Sequence, residues 1–151
     1  MTVSIEQLLS EIGSLNNKLI LIVGPSGSGK TQLLRQLGNN LQIVPLDVGL
    51  ELGRRLAAIP KSKRGFSAGE LLREMADQNR TEKPLLLDNL ELLFEPSLHV
   101  NPLDLVRRLA HAKPVVAVWP GELSCDRLVY ADMGHPEHRN YSSEGVVTYA
   151  A

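Results

Sequence analysis

Apolar residues in this chain fall into two patterns, short unbroken runs and helical stripes, and their order predicts strands alternating with helices. The unbroken runs are residues 19–23, 85–87 and 114–119. Being apolar at nearly every position, they suit strands buried on both faces of a parallel sheet. The stripes lie between them. Ile5, Leu8, Leu9 and Ile12 recur at helical spacing behind Ser4, which can cap a first turn. Residues 31–37 continue as a helix closed near Gly38, and residues 49–59 set Leu52, Leu56 and Ile59 on one side until Pro60. Ser67 with Glu70 reads as a capping box opening a helix whose buried face is Leu71, Leu72 and Met75, up to Asn79. Asn101, Pro102 and Asp104 fit N-cap, N1 and N3 of a helix reaching about residue 112.

Between these elements the pattern is weaker. Residues 41–46 read as a short strand with Pro45 at its end or on a sheet edge, and the basic stretch at 61–65 reads as a loop. Residues 90–94 are too few to separate a helical turn from an extended link. Residues 128–130 and 146–149 are further strand candidates. No repeat, heptad or shift in composition divides the chain. The expectation is one α/β domain over residues 1–151, with a mostly parallel sheet covered by helices and no C-terminal lid.

Composition narrows this picture. With 151 residues, 43% of them hydrophobic, the chain can bury one core. Lys and Arg number 16 against 17 Asp and Glu, so no global positive field points to nucleic acid. The single cysteine, Cys125, excludes an intrachain disulfide, and the expected compartment is the reducing cytoplasm. The first residues lack the basic start of a secretory signal, and no window is long and apolar enough for a membrane helix.

The strongest chemistry follows the first strand. Gly24, Pro25, Ser26, Gly27, Ser28, Gly29, Lys30 and Thr31 complete the pattern G-x-x-x-x-G-K-[ST] between a strand and a helix. Small residues let backbone N–H groups turn inward around phosphate oxygens, and the helix adds its unpaired N–H groups and positive dipole end. Lys30 would then neutralise the β and γ phosphates of a bound nucleotide, with ATP and GTP not separated by direct base recognition, and the Thr31 hydroxyl would join the coordination of Mg2+. A glycine-rich turn that merely carries a lysine is the plain alternative, disfavoured because the fixed positions and both flanking elements agree.

The run 85–87 delivers Asp88 to the C-terminal end of a strand, where ligands bind in open α/β sheets. Asp88 fits the second half of the site, holding magnesium through water beside Thr31; an ordinary strand-end aspartate is the alternative. Hydrolysis also needs a group that positions water. The residue after Asp88 is Asn89, which can orient water but is a poor base. Glu91 is the nearest carboxylate and reaches inward only if residues 89–91 turn. Trp119, at the next strand end, offers an indole N–H where related ATPases carry a polar sensor, but fits better as a large core or subunit-contact aromatic. Ser124 and Asp126 are further polar candidates there.

These two motifs resemble the ASCE division of P-loop ATPases, especially the core of AAA+ and STAND ATPases. That resemblance implies an arginine supplied by a neighbouring subunit of a homo-oligomer: Arg127 fits first, Arg139 second, with Arg107 or Arg108 as helix-borne choices. Asn89 departs from the glutamate usual in AAA+ proteins, which implies slow hydrolysis, another residue in the role, or completion by partners. Over nearly the whole length, the loop GPSGSGKT with the blocks at 85–109 and 128–141 resembles the BrxF family of small P-loop proteins from type III BREX phage-exclusion systems. The family implies an antiviral role beside a DNA methyltransferase and other BREX-system proteins.

Other features have blander readings beside sharper ones. Lys61, Lys63 and Arg64 form a basic cluster able to touch DNA phosphates, against a simple solvated loop. His135 and His138 flank Pro136 and Glu137, which argues against a helical metal pair; an ordered surface loop with Arg139 and Tyr141 fits better. A small-molecule or nucleotide kinase, with residues 123–139 folding over phosphates, is the first alternative function. A nucleotide-gated assembly module with negligible turnover is the second.

Overall fold

A computed structural model describes residues 5–12, 19–25, 27–78, 84–95, 98, 100–111, 113–124, 127–130, 139–142 and 146–151. Ser4, Ser26, Asn79, Cys125, Asp126 and the stretch 131–138 with both histidines lie outside them, as do the side chains of Ser124 and Arg139.

The central strand is β1 (Leu19–Val23), buried along its whole length. It pairs in parallel with β4 (Val115–Val118) on one edge and β8 (Val147–Ala150) on the other. Beyond β4 lie β3 (Leu85–Asp88) and β2 (Leu46–Asp47), giving one parallel five-stranded sheet of order β2-β3-β4-β1-β8. Side chains of β1 alternate between the two faces. Leu19, Leu21 and Val23 join the larger apolar cluster under α3 (Val48–Ala57), α4 (Lys61–Gln78) and α5 (Pro102–Leu109). Ile20 and Ile22 face α1 (Ile5–Ile12) and α2 (Lys30–Leu41). The apolar face of α1 therefore docks on the core of its own chain, through Ile5 with Leu8 and Leu9.

Several elements depart from the expected pattern. Helix α2 does not close at Gly38 but runs to Leu41 and ends at Gln42 in the left-handed conformation, φ 59°. Gly38 lacks a side chain for a packing reason instead: a Cβ there would press on the Ile43 carbonyl oxygen. The strand expected over 41–46 shrinks accordingly to Leu46–Asp47. The basic stretch is no loop. Residues 61–65 form the first turns of α4, which starts directly after Pro60, a residue whose fixed φ and missing N–H suit a helix start. Ser67 thus lies inside the helix and caps nothing. The Arg64 Nε donates to the carbonyls of Leu56 (2.8 Å) and Ile59 (3.0 Å), satisfying backbone groups at the end of α3. The helix starting at Pro102 is capped as expected, with Asn101 Oδ1 accepting from Asp104 N at 3.0 Å, and is shorter at its C-terminus.

After β4 comes a second sheet, antiparallel, of β5 (Glu122–Ser124), β6 (Arg127–Tyr130) and β7 (Arg139–Ser142). The expected loop around Arg139 and Tyr141 is therefore strand β7, and the kinase-like reading of 123–139 as a cover meets an ordered sheet over its described residues. Aromatic packing binds this sheet to the core. Trp119, fully buried, meets Phe94 edge-on at 5.2 Å between ring centres and Tyr141 at 6.0 Å, while Phe94 lies 4.0 Å from Tyr130. The Trp119 indole N–H donates to the Val129 carbonyl at 3.3 Å. Truncating this side chain, Trp119→Ala, is expected to cost about 4 kcal/mol of unfolding free energy, read as a lower urea midpoint.

Candidate functional site

A cleft of about 510 Å³ opens at the C-terminal ends of β1, β3 and β4, and its walls include Gly27, Gly29, Lys30, Thr31, Asp47, Asp88, Asn89 and Glu91. Sheet order brings these together. The glycine loop leaves the central strand, and β3 is two places away, so the first turn of α2 crosses toward the end of β3.

Glycines of the loop take positive φ. Gly29 precedes α2 at φ 88°, and Gly27 has φ 83°, both in the region where glycine is at ease. Ser28 N donates to the Pro25 carbonyl at 3.1 Å, closing a tight turn. The Ser28 hydroxyl is buried with no hydrogen-bond partner among the described residues, an unspent donor inside the loop.

Lys30 and Thr31 then take separate directions. The Lys30 ammonium donates to the carbonyl oxygens of Trp119 (2.8 Å) and Gly121 (3.2 Å), just past β4. Gly121 is held close there, since any Cβ would collide with the Val129 carbonyl. Burial lowers the Lys30 pKa from its ordinary 10.5, and the carboxylates of Glu122 and Glu91 oppose that shift. The Thr31 hydroxyl contacts Asp88 Oδ1 at 3.1 Å, tying α2 to the end of β3.

Asp88 also accepts from Asn89 N at 2.8 Å, and Asn89 adopts the left-handed conformation, φ 57°. From there Leu90–Phe94 forms a 3-10 helix, the turn on which an inward Glu91 depends. Glu91 is exposed and lines the cleft. The Asn89 amide donates to Asp47 Oδ1 at 2.9 Å. Asp47 was not singled out from sequence; the available signal was an aspartate ahead of a helical stripe, an N-cap, and it does accept from Leu50 N at 3.0 Å.

Other candidates stand elsewhere. Trp119 is a core residue whose N–H is spent on Val129, so it is no phosphate sensor. Arg127 lies exposed on β6, outside the cleft lining of its own chain. Arg108 pairs with Asp104 on the surface of α5 at 2.8 Å. Lys61 and Lys63 are exposed at the start of α4. Among the described residues no group of three metal-binding side chains forms, and no helix is long and apolar enough to cross a membrane.

No family model matches the chain, and neither a curated protein nor a solved structure matches it. The architecture itself is an α/β fold with a parallel five-stranded sheet covered by helices, consistent with a generic nucleotide-binding, P-loop-like fold and compatible with NTPases. Among the described residues, the cleft at its strand ends gathers glycines of the loop, the Lys30 ammonium, the Thr31 hydroxyl and the carboxylates of Asp47, Asp88 and Glu91.

The Lys30 environment gives a signed expectation. Between its lowered value and 10.5, the unfolded chain still holds a proton that the folded chain has released, so stability rises with pH across that window. Removing a carboxylate that opposes the shift, by Glu122→Gln, should lower the Lys30 pKa further. NMR titration of the lysine side chain in both proteins checks the direction.

Proposed function

We propose that this chain binds ATP with Mg2+ in the cleft and hydrolyses it slowly or on stimulation by partners, as a nucleotide-dependent assembly component of bacteriophage defence. The observation that carries this reading is the contact of Thr31 Oγ1 with Asp88 Oδ1 at 3.1 Å, beside Lys30 at the start of α2. A hydroxyl and a carboxylate are hard oxygen donors, the set that suits magnesium retaining several waters. The charges agree. Three carboxylates, Asp47, Asp88 and Glu91, line the cleft against one ammonium, Lys30. A polyphosphate needs an accompanying cation to enter such a field.

When bound, the metal would neutralise charge developing on the phosphates. The chain's own groups do the rest. The N–H groups of residues 27–31 hold phosphate oxygens at the dipole end of α2. Lys30 leaves the carbonyls of Trp119 and Gly121 to pair with the β and γ phosphates, and Asp88 and Thr31 orient the hydrated metal.

The type III BREX assignment rests on the blocks at 85–109 and 128–141 in the sequence. Within it, copies of the chain assemble on nucleotide binding and Arg127 of one copy, itself exposed on β6, serves the cleft of the next. DNA is engaged through Lys61 and Lys63 or through other BREX-system proteins. Arg64 has the structural duty of capping α3.

Titration with a fluorescent ATP analogue tests the site. Lys30→Ala should weaken magnesium-ATP binding by about tenfold or more, the loss of a charged hydrogen bond. Asp88→Ala should remove the dependence of affinity on magnesium. Equal binding by wild type and Lys30→Ala overturns the assignment. Mass measured with and without nucleotide, and again for Arg127→Ala, tests assembly.

A further inference from the structure

The cleft contains a carboxylate for which the phosphate-loop pattern has no use. Strand β2 sets Asp47 in register with Asp88 on β3, and parallel neighbours place two such residues about 4.8 Å apart along the sheet. Both line the cleft with Lys30 and Thr31. Asp47 is fixed by two donors on one oxygen: Leu50 N at 3.0 Å and the Asn89 amide at 2.9 Å, both to Oδ1. Asn89 is fixed in turn. Its backbone is left-handed, its N–H donates to Asp88 Oδ1 at 2.8 Å, and the absence of a side chain at Gly49 leaves the space its amide occupies.

Asn89 follows Asp88 directly, where a hydrolase could carry its water-positioning acid, yet its amide is committed to Asp47. Glu91 is the other carboxylate in reach; it is exposed, as Asp47 is, but no hydrogen bond among the described residues fixes it, and its charge bears on Lys30. A group that orients water works best when its own geometry is already fixed. Asp47 meets that condition through two hydrogen bonds from separate elements.

We propose that Asp47 is the catalytic carboxylate that orients the attacking water, and that Asn89 is the residue that positions it. The proposal rests on the ATP-hydrolysis reading above and names the acid which that reading leaves open. Asp47 Oδ2, the oxygen not held by Leu50 and Asn89, accepts a hydrogen bond from water. The water oxygen forms a bond to the γ-phosphorus. The bond from that phosphorus to the β,γ-bridging oxygen breaks, its electron pair staying on ADP. The proton taken by Asp47 passes to the released phosphate, which restores the carboxylate.

The test uses the full chain with magnesium and ATP, measuring ATP-analogue affinity by fluorescence and phosphate release in single turnover. Asp47→Asn keeps a residue equally good at capping α3, and Asp47→Ser gives a second capping variant if the first melts early. Either should bind ATP within about twofold of wild type while the single-turnover rate falls by about 100-fold, the usual contribution of a general base. Asn89→Ala should lower the rate without changing affinity and add no further loss to Asp47→Asn, as for residues acting as one unit. Glu51→Gln, whose carboxylate pairs with Arg54 and is not part of the cleft lining, should leave both unchanged. A wild type that binds ATP but releases phosphate no faster than Asp47→Asn overturns the proposal, as does a loss in Glu91→Gln that Asp47→Asn does not share. A wild type with no affinity for ATP overturns the nucleotide reading itself.

Discussion

Burial of β1 on both faces and both edges is the constraint from which the rest follows. A strand so enclosed must be apolar at every position, and residues 19–23 are. The chain can then turn only where the strand leaves the sheet, and there the sequence changes abruptly to glycine and serine. The turn feeds α2, whose inner face, through Leu34 and Leu37, covers Ile20 and Ile22. The same packing that secures the core thus aims the start of α2 at the end of β3. The Thr31 contact with Asp88 is a product of that geometry rather than of local sequence, since the two residues are 57 positions apart.

What could be read in the sequence was whatever has a local physical signature. Unbroken apolar runs announced β1, β3 and β4, and the Asn101–Pro102–Asp104 start of α5 has capping chemistry that works over three residues. The glycine-rich turn between β1 and α2 was legible for the same reason. Signals that depend on a distant partner were not. Gly38 resembles a helix stop, but its missing side chain serves the approach of the Ile43 carbonyl. Residues 61–65 look like a solvated basic loop, yet Pro60 starts a helix there and Arg64 bonds back to α3. Strands β5 and β7 carry serine, asparagine, arginine and glutamate, with no apolar alternation to mark them. Their place is set by Leu128, Tyr130 and Tyr141 packing around Trp119 and Phe94.

The acid side of the cleft shows the same division more sharply. Asp88 was visible as a carboxylate ending an apolar run. Asp47 was not, because its only local role is to cap α3, a duty shared by many aspartates. Parallel pairing of β2 with β3 turns that cap into a second cleft carboxylate. The left-handed Asn89 then links the two acids, with Gly49 providing the space. Position 89 therefore looks like a departure from a catalytic pattern when read alone, and like part of a three-residue arrangement once the neighbouring strand is known.

The half-buried Lys30 amine also bears on covalent chemistry. Only an uncharged amine is nucleophilic, and desolvation moves Lys30 toward that form at a lower pH than for a lysine in water. At a given pH below 10.5 this position is therefore more open than a solvated lysine to acylating or carbonyl-bearing reagents small enough to enter beside Thr31. The half-burial that ties Lys30 to the carbonyls of Trp119 and Gly121 also makes it a handle for selective chemical labelling.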